Sequence, residues 1–211
     1  MKIGITGLAA SGKGTTSRLL AQRLGYHYAD VGLLFRALAL STKGNTLRMY
    51  SLNENIRFQW NGIRMQISLD GKILTTEVLS APDISDRTSC LASDPAWFKK
   101  AAQITNSMIG QQKNLVADGR NIGTLVLPDA DAIFDIQANL SVRVERRLVD
   151  LNRYGLNISR EDVRVQIENR DRRDYRRRYA PARLNPKSVV IDNSLLSPEE
   201  CVDMIYRHIR V

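Results

Sequence analysis

Gly7-Leu8-Ala9-Ala10-Ser11-Gly12-Lys13-Gly14-Thr15 follows directly on the short apolar run Lys2-Ile3-Gly4-Ile5-Thr6. The spacing is G-x-x-x-x-G-K. A β-capable segment precedes it, and a helix-patterned one follows, with Leu19, Leu20 and Leu24 on one stripe and Gly25 as its stop. Strand, glycine-rich turn and helix in that order form a phosphate-binding arrangement. Small residues let successive N–H groups turn inward, the helix N-terminus adds its positive dipole end, and the lysine reaches the β- and γ-phosphates. The strict motif has Ser or Thr immediately after the lysine; here Gly14 intervenes, so the hydroxyl for Mg²⁺ falls to Thr15 or Thr16. A loop of this kind predicts a nucleotide site without separating kinases from GTPases or helicases.

Working outward, residues 26–30 read as a second short strand and 33–41 as a second helix, which opens a parallel α/β domain. From about Asn45 to Leu79 the texture changes. Residues 56–60, 63–69 and 73–78 alternate as strands do, with Asn61-Gly62 and Asp70-Gly71 between them, two strong hairpin signals. This is a three-stranded antiparallel insertion. Asp94-Pro95 opens a helix to about Met108. Residues 115–117 and 132–136 are buried strands, 141–152 and 159–175 are helices with serine starts, and 189–192 is a last strand. Ser197-Pro198-Glu199-Glu200 is a capping box for a terminal helix.

The 211 residues suit one domain with a small appendage, and 43% hydrophobic with 25% charged excludes global disorder. The longest apolar run, 31–40, is broken by Arg36 and falls short of the roughly 20 residues of a membrane span. There is no secretory signal pattern at the start and no C-x-x-C around Cys90 or Cys201, so the reading is soluble and cytoplasmic. Lys and Arg outnumber Asp and Glu by 31 to 22, a net charge of +9, which suits a phosphate-bearing partner. Arg170-Asp171-Arg172-Arg173-Asp174-Tyr175-Arg176-Arg177-Arg178 holds six arginines and no lysine, and a helix would set Arg170, Arg173, Asp174 and Arg177 on one stripe. With a phosphate loop in the same chain and few aromatics nearby, the run reads as an arginine lid over nucleotide phosphates; a solvated helix end or a nucleic-acid-binding module are the alternatives. Asp118, ending the apolar strand Leu115-Val116-Ala117, is either a carboxylate of the Mg²⁺ shell or a strand-end turn residue, and Arg120 adds a fixed charge beside it. Arg36, costly to bury unpaired, is either salt-bridged at the helix edge or grips an acceptor phosphate. Only His27 and His208 are present, neither in a motif, which agrees with a phosphoryl transfer needing no general base.

Four segments, GLAASGKGT (7–15), DVGLLFRALAL (30–40), ADGRNIGTLVLPDA (117–130) and RDRRDYRRRYAP (170–181), together with Ile191-Asp192-Asn193-Ser194, resemble the bacterial cytidylate kinases in order and spacing. The resemblance spans nearly the whole chain. It implies a P-loop nucleoside monophosphate kinase: a parallel sheet core flanked by helices (1–31, 112–152 and 186–211), an acceptor-binding region carrying the antiparallel insertion (32–111) and an arginine-rich helical lid (153–185). The implied reaction moves the ATP γ-phosphate onto CMP or dCMP with Mg²⁺, and the implied partners are these nucleotides alone, bound by a monomer that contacts neither nucleic acid nor membrane. The same likeness gives Lys13 and the 7–15 backbone to the ATP phosphates; the motif reading adds Thr16 to the ATP set and puts Thr15 and Asp118 toward Mg²⁺. The likeness makes Arg36, Arg120 and Arg177 acceptor-phosphate clamps and Arg170 and Arg173 lid arginines. Asp174 holds the acceptor ribose, and Asp30 and Ser89 belong to the acceptor site. Two positions depart from the family. Asn121 stands where it commonly has aspartate, and Phe98 where a Ser-x8-Arg arrangement reads cytosine. Asn121 accepts or donates according to its amide orientation, which leaves open a preference for UMP or another base. Ala10 replaces a usual glycine.

Overall fold

The first strand, β1 (Lys2–Thr6), is buried from Ile3 onward because it lies between two parallel partners, β6 (Leu115–Gly119) and β7 (Ala132–Gln137). A strand covered on both faces reads as a continuous apolar run, as KIGIT does. β2 (His27–Asp30) pairs with the far side of β6, and β8 (Val189–Asp192) with the far side of β7, all parallel. The computed structural model describes residues 1–42, 56–153 and 155–209; the first part of the expected insertion, 45–55, lies outside them.

The insertion continues this sheet. β3 (Ile56–Asn61), β4 (Arg64–Leu69) and β5 (Lys72–Leu74) pair antiparallel, and β4 joins β2 where Tyr28 meets Arg64. The order is β3-β4-β2-β6-β1-β7-β8, with β5 on β4. The third inserted strand is shorter than the alternation to Val78 predicts. It stops at Leu74 because Thr75 caps a short helix, α3 (Thr76–Ser80), its side chain accepting from the Val78 N–H. Trp60 and Met65 turn toward the core: Trp60 stacks on His27 with ring centroids 4.4 Å apart, and Met65 packs on the main cluster.

Helices cover both faces. α2 (Val31–Ser41), capped by the Asp30 side chain, and α5 (Pro95–Ile109), capped by Asp94, bury Leu34, Leu38, Trp97 and Ile109 on one side. α1 (Lys13–Leu24) and α8 (Pro198–Ile209) bury Leu20 and Ile205 on the other, and the Ser197–Glu200 capping box forms as read. α6 (Leu140–Arg153) and α7 (Arg160–Arg176) form a third, smaller cluster through Val144, Leu151, Val163 and Ile167, and Ala9 of the phosphate loop belongs to it. Besides α3, two elements have no counterpart in the sequence reading. α4 (Pro82–Leu91) lies between α3 and α5, and a π-helical turn (Ile122–Val126) follows β6. None of the described helices is long and apolar enough to cross a membrane.

The Trp60 contact is one of the side-chain ties between the inserted hairpin and the core, beside the buried Ile56 and Ile67. Trp60→Ala is expected to lower stability by on the order of 2 kcal/mol. Protease cutting should then concentrate in residues 56–74, and both effects are read from thermal unfolding and limited proteolysis.

Candidate active site

Parallel strands deliver their carboxyl ends to one edge of the sheet, and the site forms there. After β1 the chain turns through residues 7–12. Gly7 has φ +153° and a Cβ there would stand 2.4 Å from the Ile136 carbonyl oxygen, so no other residue fits. The loop is braced from outside by its carbonyls. Lys13 Nζ donates to Leu8 O at 3.2 Å, Arg143 Nη1 to Ala9 O at 3.2 Å, and Arg146 Nη1 and Asn193 Nδ2 to Ser11 O at 3.1 and 3.0 Å. With the oxygens held, the N–H groups at the α1 N-terminus stay free for an anion. Gly12 supplies no side-chain cap, and the first turn carries no acidic residue.

Beside the loop is a cavity of about 170 Å³, walled by residues from two strands, five helices and the turn after β6. Lys13 and Gly14 come from α1, Asp30 and Arg36 from the β2–α2 junction, Ser89 from α4, and Phe98 from α5. Asp118 belongs to β6, Arg120 and Asn121 to the turn after it. Arg170 and Asp174 come from α7, and Arg177 from its C-cap.

This pocket is crowded with cations. Lys13, Arg36 and Arg170 make no ion pair among the described residues, while Arg120 reaches Asp174 at 2.9 Å and Arg177 pairs with the other oxygen of the same carboxylate. Burial, Arg120 and Arg170 pull the Lys13 ammonium down to about 8, against the opposing pull of Asp118 and Asp30. Burial, Arg120 and Arg36 bring Arg170 down to about 9. Arg36 is lowered by burial and by Arg147 and Arg120, with Asp30 opposing. Asp118 is buried beside Asp30 and raised to about 7, although the Tyr28 hydroxyl donates to its Oδ2 at 2.9 Å. Burial would raise Asp174 too, but Arg120 and Arg177 outweigh it and hold that carboxyl below the usual range.

Three expected site residues stand elsewhere. Arg173 lies off the pocket wall and pairs with Asp86 at 3.2 Å on α4. Thr16 turns into the core against the Cys201 thiol, so of the two hydroxyls Thr15 is the exposed one. The structural signal was present: Thr16 is four residues before Leu20, on the buried stripe of α1. Thr15 faces a second groove of about 390 Å³, shared with Arg146, Asn193, Leu196 and Pro198 on the other side of the loop. Arg143, Arg146 and Tyr28 escaped the sequence reading, because an arginine on α6 or a tyrosine in a strand carries no motif.

One hydrogen bond sets the Asn121 amide. Asn121 Nδ2 donates to Pro181 O at 3.2 Å, which leaves Oδ1 buried and without a partner; the Ser89 hydroxyl is buried and unpartnered as well. The amide orientation follows from this network. Phe98 is buried against Phe35 and Tyr179, and the Arg177 guanidinium lies over its ring, 5.1 Å from the centroid.

Known proteins are similar to this chain in fold and in sequence. The structure of TT1252 from Thermus thermophilus aligns over 99% of this chain and 95% of its own, with a TM-score of 0.52 at 19% identity. A shikimate kinase from Acinetobacter baumannii aligns over 99% and 92%, with a TM-score of 0.50 at 14% identity. These likenesses are of fold alone. In sequence, a cytidylate kinase of Thermotoga neapolitana is 34% identical over 98% of this chain and 95% of its own. One of Caldanaerobacter subterraneus subsp. tengcongensis is 33% identical over 100% and 95%. The profile described as cytidylate kinase matches residues 3–211. The chain belongs to the cytidylate kinase family.

Proposed function

We propose that this chain transfers the γ-phosphate of ATP to CMP, and to dCMP, giving the diphosphates. The observation that carries the reading is the convergence of Lys13, Arg36, Arg120, Arg170 and Arg177 on one cavity that also presents an unpartnered amide oxygen at Asn121. Both substrates are polyanions. Lys13 and the 7–15 backbone hold the ATP phosphates, and Arg36, Arg120 and Arg177 hold the acceptor phosphate in line with them. The catalytic contribution is mainly the cancelling of repulsion between two anions brought within reacting distance. The acceptor oxygen is largely ionised at neutral pH, so the reaction draws on no general base. Arg170, above the pocket, completes the charge compensation and excludes water when the lid is closed. Asp174 lies within reach of the acceptor ribose.

The carboxylates suit Mg²⁺: Asp118 with Asp30 nearby offers hard oxygen groups, and Mg²⁺ is commonly held by one or two carboxylates together with substrate phosphates, whereas the Thr15 hydroxyl faces the groove on the other side of the loop and does not join them. When bound, the ion offsets charge on the transferring phosphate. In this reading the core spans 1–31, 112–152 and 186–211, the acceptor region 32–111 and the lid 153–185. The enzyme works as a cytoplasmic monomer on nucleotides alone. Four of the six clustered arginines, Arg170, Arg172, Arg173 and Arg177, are engaged with Ser85, Asn169, Asp86 and Asp174, which favours the lid over a nucleic-acid surface.

Base choice follows from Asn121. Its Oδ1 accepts from the exocyclic amine of cytosine and faces a carbonyl in uracil. With MgATP, CMP is expected to exceed UMP in kcat/KM, and Asn121→Ala to erase about ten- to a hundredfold of that margin while Asn121→Asp keeps it. A wild-type enzyme that phosphorylates none of CMP, dCMP or UMP overturns the reading.

Arg36→Met is expected to cut turnover about a hundredfold or more. It should leave Tm unchanged or raised, because it removes an unpaired, desolvated cation from its like-charged neighbours. Kinetics and thermal unfolding on one preparation check both signs.

A cation lowered in the folded protein loses its charge as pH rises through the shifted value. The kcat/KM for ATP is therefore expected to decline as pH passes about 8, where Lys13 deprotonates. The same limb in kcat should lie at higher pH, because bound phosphates restore the proton.

A further inference from the structure

Asp171 belongs to neither the pocket wall nor the phosphate loop, yet it touches the supports of both. Its Oδ2 pairs with Arg143 Nη1 at 2.5 Å. Its Oδ1 accepts from the Ala9 backbone N–H at 3.3 Å and stands 3.6 Å from Arg120 Nη1. Arg143 in turn donates from Nη1 to Ala9 O at 3.2 Å and from Nε to Ala138 O at 3.1 Å. The pair thus holds Ala9 by its N–H and its C=O, and does so from α6 and α7 together. One helical turn on, Asp174 takes the other terminal nitrogen of Arg120 at 2.9 Å. All three side chains are largely shielded from water, at 15% exposure for Asp171, 9% for Arg143 and 13% for Arg120, so these contacts are little screened.

We propose that Asp171 is a positioning residue: from the lid helix it fixes the phosphate loop at Ala9 and, with Asp174, aims Arg120 into the acceptor pocket. The proposal rests on the kinase reading above. A long arginine with no support samples many rotamers, and ordering it on binding weakens the interaction; a carboxylate at each end of the fork does this ordering beforehand. The loop gains in the same way, because Ala9 is held in place before ATP arrives. Both supports come from α7, so the closed position of the lid and the ligand-ready shape of the loop and of Arg120 are one state. Asp171 takes no part in base reading, which belongs to Asn121 and Ser89 at the other end of the cavity.

The test uses the full-length enzyme with Asp171→Asn, Asp171→Ala, Arg143→Ala and the double variant. ATP affinity is measured by calorimetry without acceptor, alongside kcat and KM for ATP and CMP. Each single alanine variant is expected to weaken ATP binding about tenfold. The pair together should weaken it no further than either alone, because the two residues act as a unit. The CMP-to-UMP ratio should stay at the wild-type value, and Asp171→Asn, which keeps the acceptor for Ala9, should fall between. The inference is overturned if ATP affinity stays within about twofold of wild type in these variants while only Tm falls, or if the two alanine effects add. Should the alanine variant not fold, unchanged ATP affinity in Asp171→Asn overturns the inference by itself. A wild-type protein that binds ATP and phosphorylates no nucleoside monophosphate sinks the kinase reading, and the calorimetric comparison still decides the role of Asp171.

Discussion

Two like charges 4 Å apart repel by about 4 kcal/mol at an effective dielectric near 20, and this protein lines a single cavity of about 170 Å³ with Lys13, Arg36, Arg120, Arg170 and Arg177. The rest of the structure answers that repulsion. Asp174 is shared between Arg120 and Arg177, and Asp171 between Arg143 and Arg120. Asp30 and Asp118 sit against Lys13 and Arg36. Burial first, and then the remaining repulsion from neighbouring arginines, depress Lys13 and Arg170.

The fold makes this arrangement possible by gathering strand ends. β1 and β2 flank β6 in parallel, so the phosphate loop and Asp30 each reach the same edge one strand spacing from the segment Asp118 to Asn121. The fourth wall comes from α7, which lies on no strand of the sheet. It is anchored through the small cluster of Val144, Leu151, Val163 and Ile167 that also includes Ala9. α7 therefore packs on the loop as well as on α6. The inserted hairpin is tied to the core sheet by β4 against β2 and by Trp60 on His27.

Much of the fold was legible because its signals are local. The loop spacing, the Asn61-Gly62 and Asp70-Gly71 turns, the Asp94 cap and the Ser197–Glu200 box each depend on residues within a few positions, and each appears as read. The failures are also physical. The third inserted strand gives way at Thr75, a β-favouring residue whose hydroxyl serves better as a helix cap. α4 was missed, and with it the partner of Arg173: one turn from Arg170 along α7, that guanidinium meets Asp86 and not the cavity. Arg146 and Asn193 brace the loop from elements distant in sequence.

The sequence by itself determined the order of strands and helices, the phosphate loop, most helix starts and the kind of charge the site carries, since these rest on backbone preferences and short-range hydrogen bonds. Only the tertiary structure decided which charges face one another, which way the Asn121 amide points and which threonine is exposed. Pro181, sixty residues away, fixes that amide, and the packing of α1 on the core fixes the threonines. Coulomb energy and hydrogen-bond orientation depend on distance in space, and positions as far apart along the chain as Lys13 and Arg177 become neighbours only when the sheet and the lid have come together.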